Sequence, residues 1–207
     1  IERCRVVTEK MASISKASLY KALDQLNVFD PDVCQEIRDE EGQVDKYEDI
    51  LGSYLVKLNT YPLTDKDMRE SAKLLHLIGD IERISDHAVN IVESAEELNE
   101  KGIVFSDFAK GELKVIIGAV HEIVELSYAA YSQNDIVAAK RVEPLEQVID
   151  NLKEKLRTRH IERLQTGGCT IEAGFIWSDL LNNLERVSDH CSNIAGCVIE
   201  MAHNSLD

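Results

Sequence analysis

A twelve-residue segment occurs twice in this chain. Asp80-Ile-Glu-Arg-Ile-Ser-Asp-His-Ala-Val-Asn-Ile91 returns as Asn183-Leu-Glu-Arg-Val-Ser-Asp-His-Cys-Ser-Asn-Ile194, with seven of the twelve positions identical. A shorter match lies upstream of each copy: Glu41-x-x-x-Asp45 pairs with Glu146-x-x-x-Asp150. The spacings are 103 and 105 residues. Two separate matches at nearly one spacing mark an internal duplication. Whatever one half folds into, the other half must fold into as well.

Each half reads as three helices. Apolar residues recur every three to four positions, glycine and proline are scarce, and aromatics make up only 5% of the chain. The first helix spans about Glu2 to Leu26. Asp30 caps the second, with Pro31 at its first position, and the helix reaches about Asn59 before Tyr61-Pro62 breaks it. Thr64 opens the third, with Asp67 as a capping-box partner, and Lys101-Gly102 closes it. Ser106 or Asp107 caps the fourth, which runs to about Ser132. Asn134-Asp135 opens the fifth, which reaches about Gln165. Pro144 lies inside it and predicts a kink or short break near Val142–Glu143. Thr166-Gly167-Gly168 is a loop, and Thr170 opens a sixth helix to about His203. The expected fold is all-α: two tandem antiparallel three-helix bundles, spectrin-repeat-like, over residues 1–101 and 102–207.

Charge narrows the partners. The net charge is −15, which repels nucleic-acid phosphates and anionic membrane surfaces and favours cations or a basic protein. The longest clean apolar run, Val115 to Ile117 extended to Val120, is far short of the ~20 residues a membrane span needs. Five cysteines without a Cys-x-x-Cys pair fit reduced thiols in a reducing compartment, with Cys191 at a core position. The chain opens at Ile1 within a helical pattern, as a piece of a longer protein would.

Residues four apart share a helix face. Glu82, Asp86 and Asn90 therefore form one polar stripe, and Glu185, Asp189 and Asn193 another. Against the apolar positions Leu74, Leu77, Ile78 and Ile81, the acidic stripe points outward. Like charges at this spacing cost an isolated helix a few tenths of a kcal/mol, so helix stability gives no reason to place them there twice. Glu41 and Asp45 are the natural complement of the first stripe, and Glu146 and Asp150 of the second. Two sets of four carboxylates result, which call for a cation. Oxygen donors suit magnesium, manganese, calcium or iron, and a nearby imidazole shifts the choice toward iron, zinc or nickel. His87 and His190 sit about 100° beyond the aspartates and are either ligands or helix-surface hydrogen-bonders. Asn90 and Asn193 are either ligands or partners of neighbouring backbone. Arg83 and Arg186 are expected to pair with carboxylates on their own surface. His76, His121, His160 and His203 have no repeat partner and read as incidental. No His-Glu-x-x-His, phosphate loop or nucleophile elbow occurs, so no enzyme is expected.

The duplicated Glu-Arg-Ile/Val-Ser-Asp-His-x-x-Asn-Ile segment resembles the PhoU family, and the likeness covers essentially the whole chain. That resemblance implies metal clusters on the bundle surface, often iron and sometimes zinc or nickel. It also implies control of phosphate uptake and signalling at the cytoplasmic face of the membrane. Partners so implied are a phosphate transporter or its membrane domain, a second copy of the chain, and a sensor kinase. The non-Met start and Asp179-Leu-Leu-Asn-Asn-Leu-Glu-Arg-Val-Ser-Asp-His look more like the C-terminal domain of a bacterial sodium/phosphate cotransporter-related protein than a free-standing member. Asn stands at the third motif position, where many family members are acidic, which argues against a large multinuclear cluster. The bare alternative is a helical scaffold without metal.

Overall fold

The computed structural model describes residues 1–204, and side chains through Ala202. Six helices account for almost all of them: α1 Glu2–Gln25, α2 Pro31–Leu58, α3 Asp65–Lys101, α4 Asp107–Gln133, α5 Ile136–Gln165 and α6 Ile171–Asn204. No strand occurs among the described residues.

The helix ends are set by side chains that satisfy orphan backbone N–H groups. Asp30 accepts from the Asp32 amide ahead of Pro31. Thr64 accepts from Asp67, Ser106 from Ala109, and Asp135 from both Val137 and Ala138. Thr170 does the same for Ala173. The closing residues of α3 and α4, Gly102 (φ 61°) and Asn134 (φ 50°), turn left-handed. Asn134 therefore ends α4 and Asp135 alone caps α5.

α5 does not break at Pro144. It runs unbroken from Ile136 to Gln165, contrary to the expected interruption. Pro144, and Lys140 four residues before it, are exposed, so the carbonyl that loses its N–H partner can be hydrated instead.

α1, α2 and α3 pack on one another, as do α4, α5 and α6; α3 against α6 joins the two sets, with a smaller contact of α1 on α4. α2 and α5 touch only their own unit and form the outer flanks. The buried apolar residues form one cluster that runs through both units and across the α3–α6 seam. Burial repeats with the sequence. Cys34, Ile37, Val44 and Leu51 on α2 are buried, and so are their equivalents Ala139, Val142, Ile149 and Leu156 on α5. All five cysteines are free, and Cys191 is fully buried.

Because α3 meets α6 on one side and α2 on the other, two flanks of α3 carry polar residues between helices. The flank toward α2 forms an acidic groove, and the flank toward α6 forms the seam. α6 repeats this with α5 and α3.

Candidate metal centre

The carboxylate stripes lie in the outer grooves, between α2 and α3 and between α5 and α6. They are half-buried rather than turned out to solvent as the apolar periodicity suggested. Glu82 and Asp86 keep 18% and 29% side-chain exposure, and Glu185 and Asp189 keep 19% and 31%. The reason is that a second helix leans over that flank, which a single-helix projection does not show.

In the second groove three carboxylates converge. One oxygen each from Glu146, Asp150 and Asp189 lie within 4.8 Å of one another. Asp150 Oδ1 is buried and has no hydrogen-bond partner. A buried acceptor without a donor carries a desolvation cost unless a cation or water meets it. The convergence, the all-oxygen donors and this orphaned oxygen together fit a hard cation. Burial first, then Asp150 and Asp189, raise the Glu146 carboxyl above its usual range; burial and Glu185 do the same to Asp189. A bound cation would reverse that strain by favouring the charged forms.

The first groove is built differently. Burial and Asp86 push the Glu82 carboxyl up to about 7, with Glu48 adding to the effect. Glu41 is raised by burial, then by Asp86 and Asp45. Asp45 itself is exposed, on the groove's rim. Among the described residues, no three donors come as close here as in the second groove.

Glu48 was missed from sequence, and so was its counterpart. At the repeat spacing of 105, Glu48 corresponds to Lys153. The Lys153 ammonium lies 3.0 Å from Glu185, and both side chains are about one-fifth exposed. The second groove thus carries its own cation on one carboxylate, leaving Glu146, Asp150 and Asp189 to face one another. The first groove has a fifth carboxylate at that place. The signal was available: Glu48 lies seven residues after Glu41 on the same face, and its repeat partner changes sign.

Arg83 and Arg186 do pair with the stripes, at 3.0 Å from Asp86 and 3.3 Å from Asp189.

His87, Asn90, His190 and Asn193 turn to the α3–α6 seam, away from the carboxylates. His87 Nδ1 and Asn90 Nδ2 donate to Asn183 Oδ1 at 2.8 and 3.1 Å. His190 Nδ1 and Asn193 Nδ2 donate to Asp80 Oδ1 at 2.9 and 3.0 Å. The shared acceptor fixes the proton on Nδ1 in both rings. The two imidazoles face each other, centroids 5.5 Å apart, and burial lowers the His87 pKa. Since Asp80 and Asn183 are themselves repeat partners, one set of contacts is written twice about a local two-fold. Helix geometry explains the split. Each step of four residues drifts about 40°, so Asn90 sits at the edge between the Glu82–Asp86 stripe and His87, where it reaches Asn183 across the seam.

Of the remaining histidines, His76 is exposed, His121 stacks on Tyr20, and the side chain of His203 lies outside the described residues. His160 is not incidental: it is 7% exposed and packs on Trp177.

Fold and site together define a duplicated three-helix scaffold with an acidic groove on the outer flank of each half. Residues 8–95 and 113–198 match the PhoU domain, and the chain belongs to the PhoU domain family. It is 27% identical over 192 residues to the phosphate-specific transport system accessory protein PhoU homolog 1 of Thermotoga maritima, covering 92% of this chain and 82% of that one. A Xylella fastidiosa accessory protein PhoU homolog is 28% identical over 204 residues, covering 94% and 82%. Among solved structures, PhoU from Pseudomonas aeruginosa superposes with a TM-score of 0.91 at 22% identity, covering 98% and 97%. The phosphate transport system regulatory protein PhoU from Streptococcus pneumoniae gives 0.86 at 16% identity, covering 100% and 96%. These structures share the fold.

Proposed function

We propose that this chain is a non-enzymatic regulatory accessory of phosphate transport whose acidic grooves hold metal ions. The observation that carries the metal reading is the convergence of Glu146, Asp150 and Asp189, of which Asp150 also has a buried, unpartnered oxygen. Glu41, Asp45, Glu82 and Asp86, joined by Glu48, form the companion site, and Glu185 completes the second when Lys153 releases it. With His87 and His190 held in the seam, the donors are all oxygen. Iron, magnesium and manganese therefore fit better than zinc or nickel.

The transport reading is supported by membership of the PhoU family and by relatives described as phosphate-specific transport accessory proteins. No helix among the described residues is long and apolar enough to cross a membrane, so this segment would act beside a membrane protein. Its place is the cytoplasmic face, on or fused to a sodium/phosphate cotransporter, with a second copy or a sensor kinase as further partners. A metal-free helical scaffold is the second reading. It is favoured by Lys153, which already neutralises one carboxylate of the second groove.

Phosphate uptake in cells lacking the chain tests both parts. Wild-type complementation should restore normal uptake, and Glu146→Ala/Asp150→Ala/Asp189→Ala at equal abundance should not. Full complementation by the triple variant would remove the second groove's metal from the regulatory account. Unchanged uptake on deletion would remove phosphate transport.

A further inference from the structure

The second unit departs from the first at one corner of its core. Buried positions repeat at 105 between α1 and α4 and between α2 and α5, and at 103 between α3 and α6: Met11 and Ile116, Leu51 and Leu156, Leu77 and Leu180 are all buried. In the same register, Val7, Leu55, Leu58 and Leu74 of the first unit correspond to Glu112, His160, Arg163 and Trp177 of the second. Four aliphatic side chains become two charged groups, an imidazole and an indole. The fold does not require them, because the first unit builds the same corner without them.

The polar set is largely buried and only partly satisfied. Glu112, 7% exposed, accepts from Arg159 at 3.1 Å and from Arg163 at 2.7 Å. Two guanidinium groups share this one carboxylate, Arg159 from an exposed position and Arg163 from a largely buried one, so Glu112 is not reserved for Arg163. Arg163 lies over two rings, 5.1 Å from the centroid of Trp177 and 6.0 Å from that of Phe108. Ring contacts do not satisfy its N–H groups: Nη2 is buried without a partner. Trp177 Nε1 and His160 Nε2 are also buried and unpartnered, on side chains that are 1% and 7% exposed. The chain makes room for the imidazole: where the first unit has Ser71, the second has Gly174, and a Cβ there would lie 2.6 Å from His160 Nε2.

Arg163, His160 and Trp177 line one solvent-accessible cavity of about 410 Å³, bordered by the Gly102–Ser106 and Gly167–Thr170 loops. The N-terminus of α6, capped by Thr170, opens at its edge and adds the positive end of a long helix dipole. Arg163 and Trp177 supply N–H groups that can only donate. Unpaired buried donors of this kind call for an acceptor.

We propose that this cavity binds a small oxyanion through Arg163 Nη2 and Trp177 Nε1, with His160 beside them. It is separate from the acidic grooves, about 15–20 Å along α5 from Asp150 by helical rise, and does not rest on the metal reading.

Trp177 is the chain's single tryptophan, so its fluorescence reports on the cavity directly. The full chain is titrated with inorganic phosphate, sulfate or acetate at constant ionic strength maintained with chloride. A saturable change with any of the three supports the site, and their order identifies the preferred oxyanion. Arg163→Leu should weaken the midpoint by about tenfold or more. Glu112→Val/Arg163→Leu removes both partners of the ion pair and restores the residues the first unit uses, so it guards against a folding defect in the single variant. Three results would overturn the proposal. These are no saturable change beyond the chloride control in wild type, a midpoint unaltered in both variants, and a fluorescence response that follows ionic strength alone.

Discussion

Replacing Lys153 by methionine tests how the second groove is balanced. The ammonium lies 3.0 Å from Glu185, with both groups about one-fifth exposed. At an effective dielectric of about 20 the gross attraction is about 5 kcal/mol. Much of that is offset by desolvation and by ordering two side chains. Exposed pairs contribute at most about 1 kcal/mol, and breaking a fully buried pair costs about 3–5 kcal/mol. At this burial, about 2 kcal/mol is expected for Lys153→Met, because methionine keeps the apolar stem and removes only the charge. For a chain of this size that is a fall of about 4–8 °C in melting temperature, measured by calorimetry in the presence of chelator. Metal then separates the roles. With Lys153 gone, Glu185 is free to join Glu146, Asp150 and Asp189, so added iron or manganese should raise the variant's melting temperature more than the wild type's, by mass action on the native state. A chelated variant within about 1 °C of wild type, or equal metal-induced shifts in the two proteins, would refute the argument that Lys153 stands in for a cation.

Other outcomes follow from the same geometry. Burial and Asp86 raise Glu82 from 4.5 to about 7, so the folded state holds this proton where the unfolded chain has lost it. The stability this gives is present below the unfolded value and is lost as pH rises through the folded one. Chelated wild type should therefore lose melting temperature between pH 4.5 and about 7, and Glu82→Gln should flatten that slope; parallel profiles would sink the assignment. In the seam, Asn183→Leu strips the acceptor from both His87 and Asn90. A loss of about 1–3 kcal/mol in urea unfolding is expected, larger than for Asn193→Leu, which deletes a single donor at the other end of the two-fold; equal losses would argue against the shared acceptor.

The six helices were legible because the apolar spacing, Pro31 and the capping residues Asp30, Thr64 and Ser106 all agreed locally. Asn134 belongs to α4 and not to the start of α5, since its left-handed turn closes α4 and only Asp135 caps α5. Pro144 does not break α5: whether the freed carbonyl can meet water is a property of the packed bundle. The acidic stripes could be placed on their helices, but their half-burial depends on α2 and α5 leaning over them. Helical angles separated His87 from Asp86 correctly; finding its partner Asn183 required the α3–α6 packing. His160 looked incidental for lack of a repeat partner. Yet its repeat position was occupied, by Leu55, and comparing residue types at equivalent positions would have exposed both that substitution and the exchange of Glu48 for Lys153.

The central claim is that the grooves hold metal, and metal content tests it most directly. The full chain is purified without chelator and its iron, zinc, nickel, manganese and magnesium are measured by elemental analysis beside Glu82→Ala/Asp86→Ala and Glu146→Ala/Asp150→Ala/Asp189→Ala. At least one ion per chain is expected in wild type, with part of it lost in each variant and the second groove retaining metal when the first is mutated. Wild-type protein free of metal, or variants that keep the wild-type content, would contradict the account.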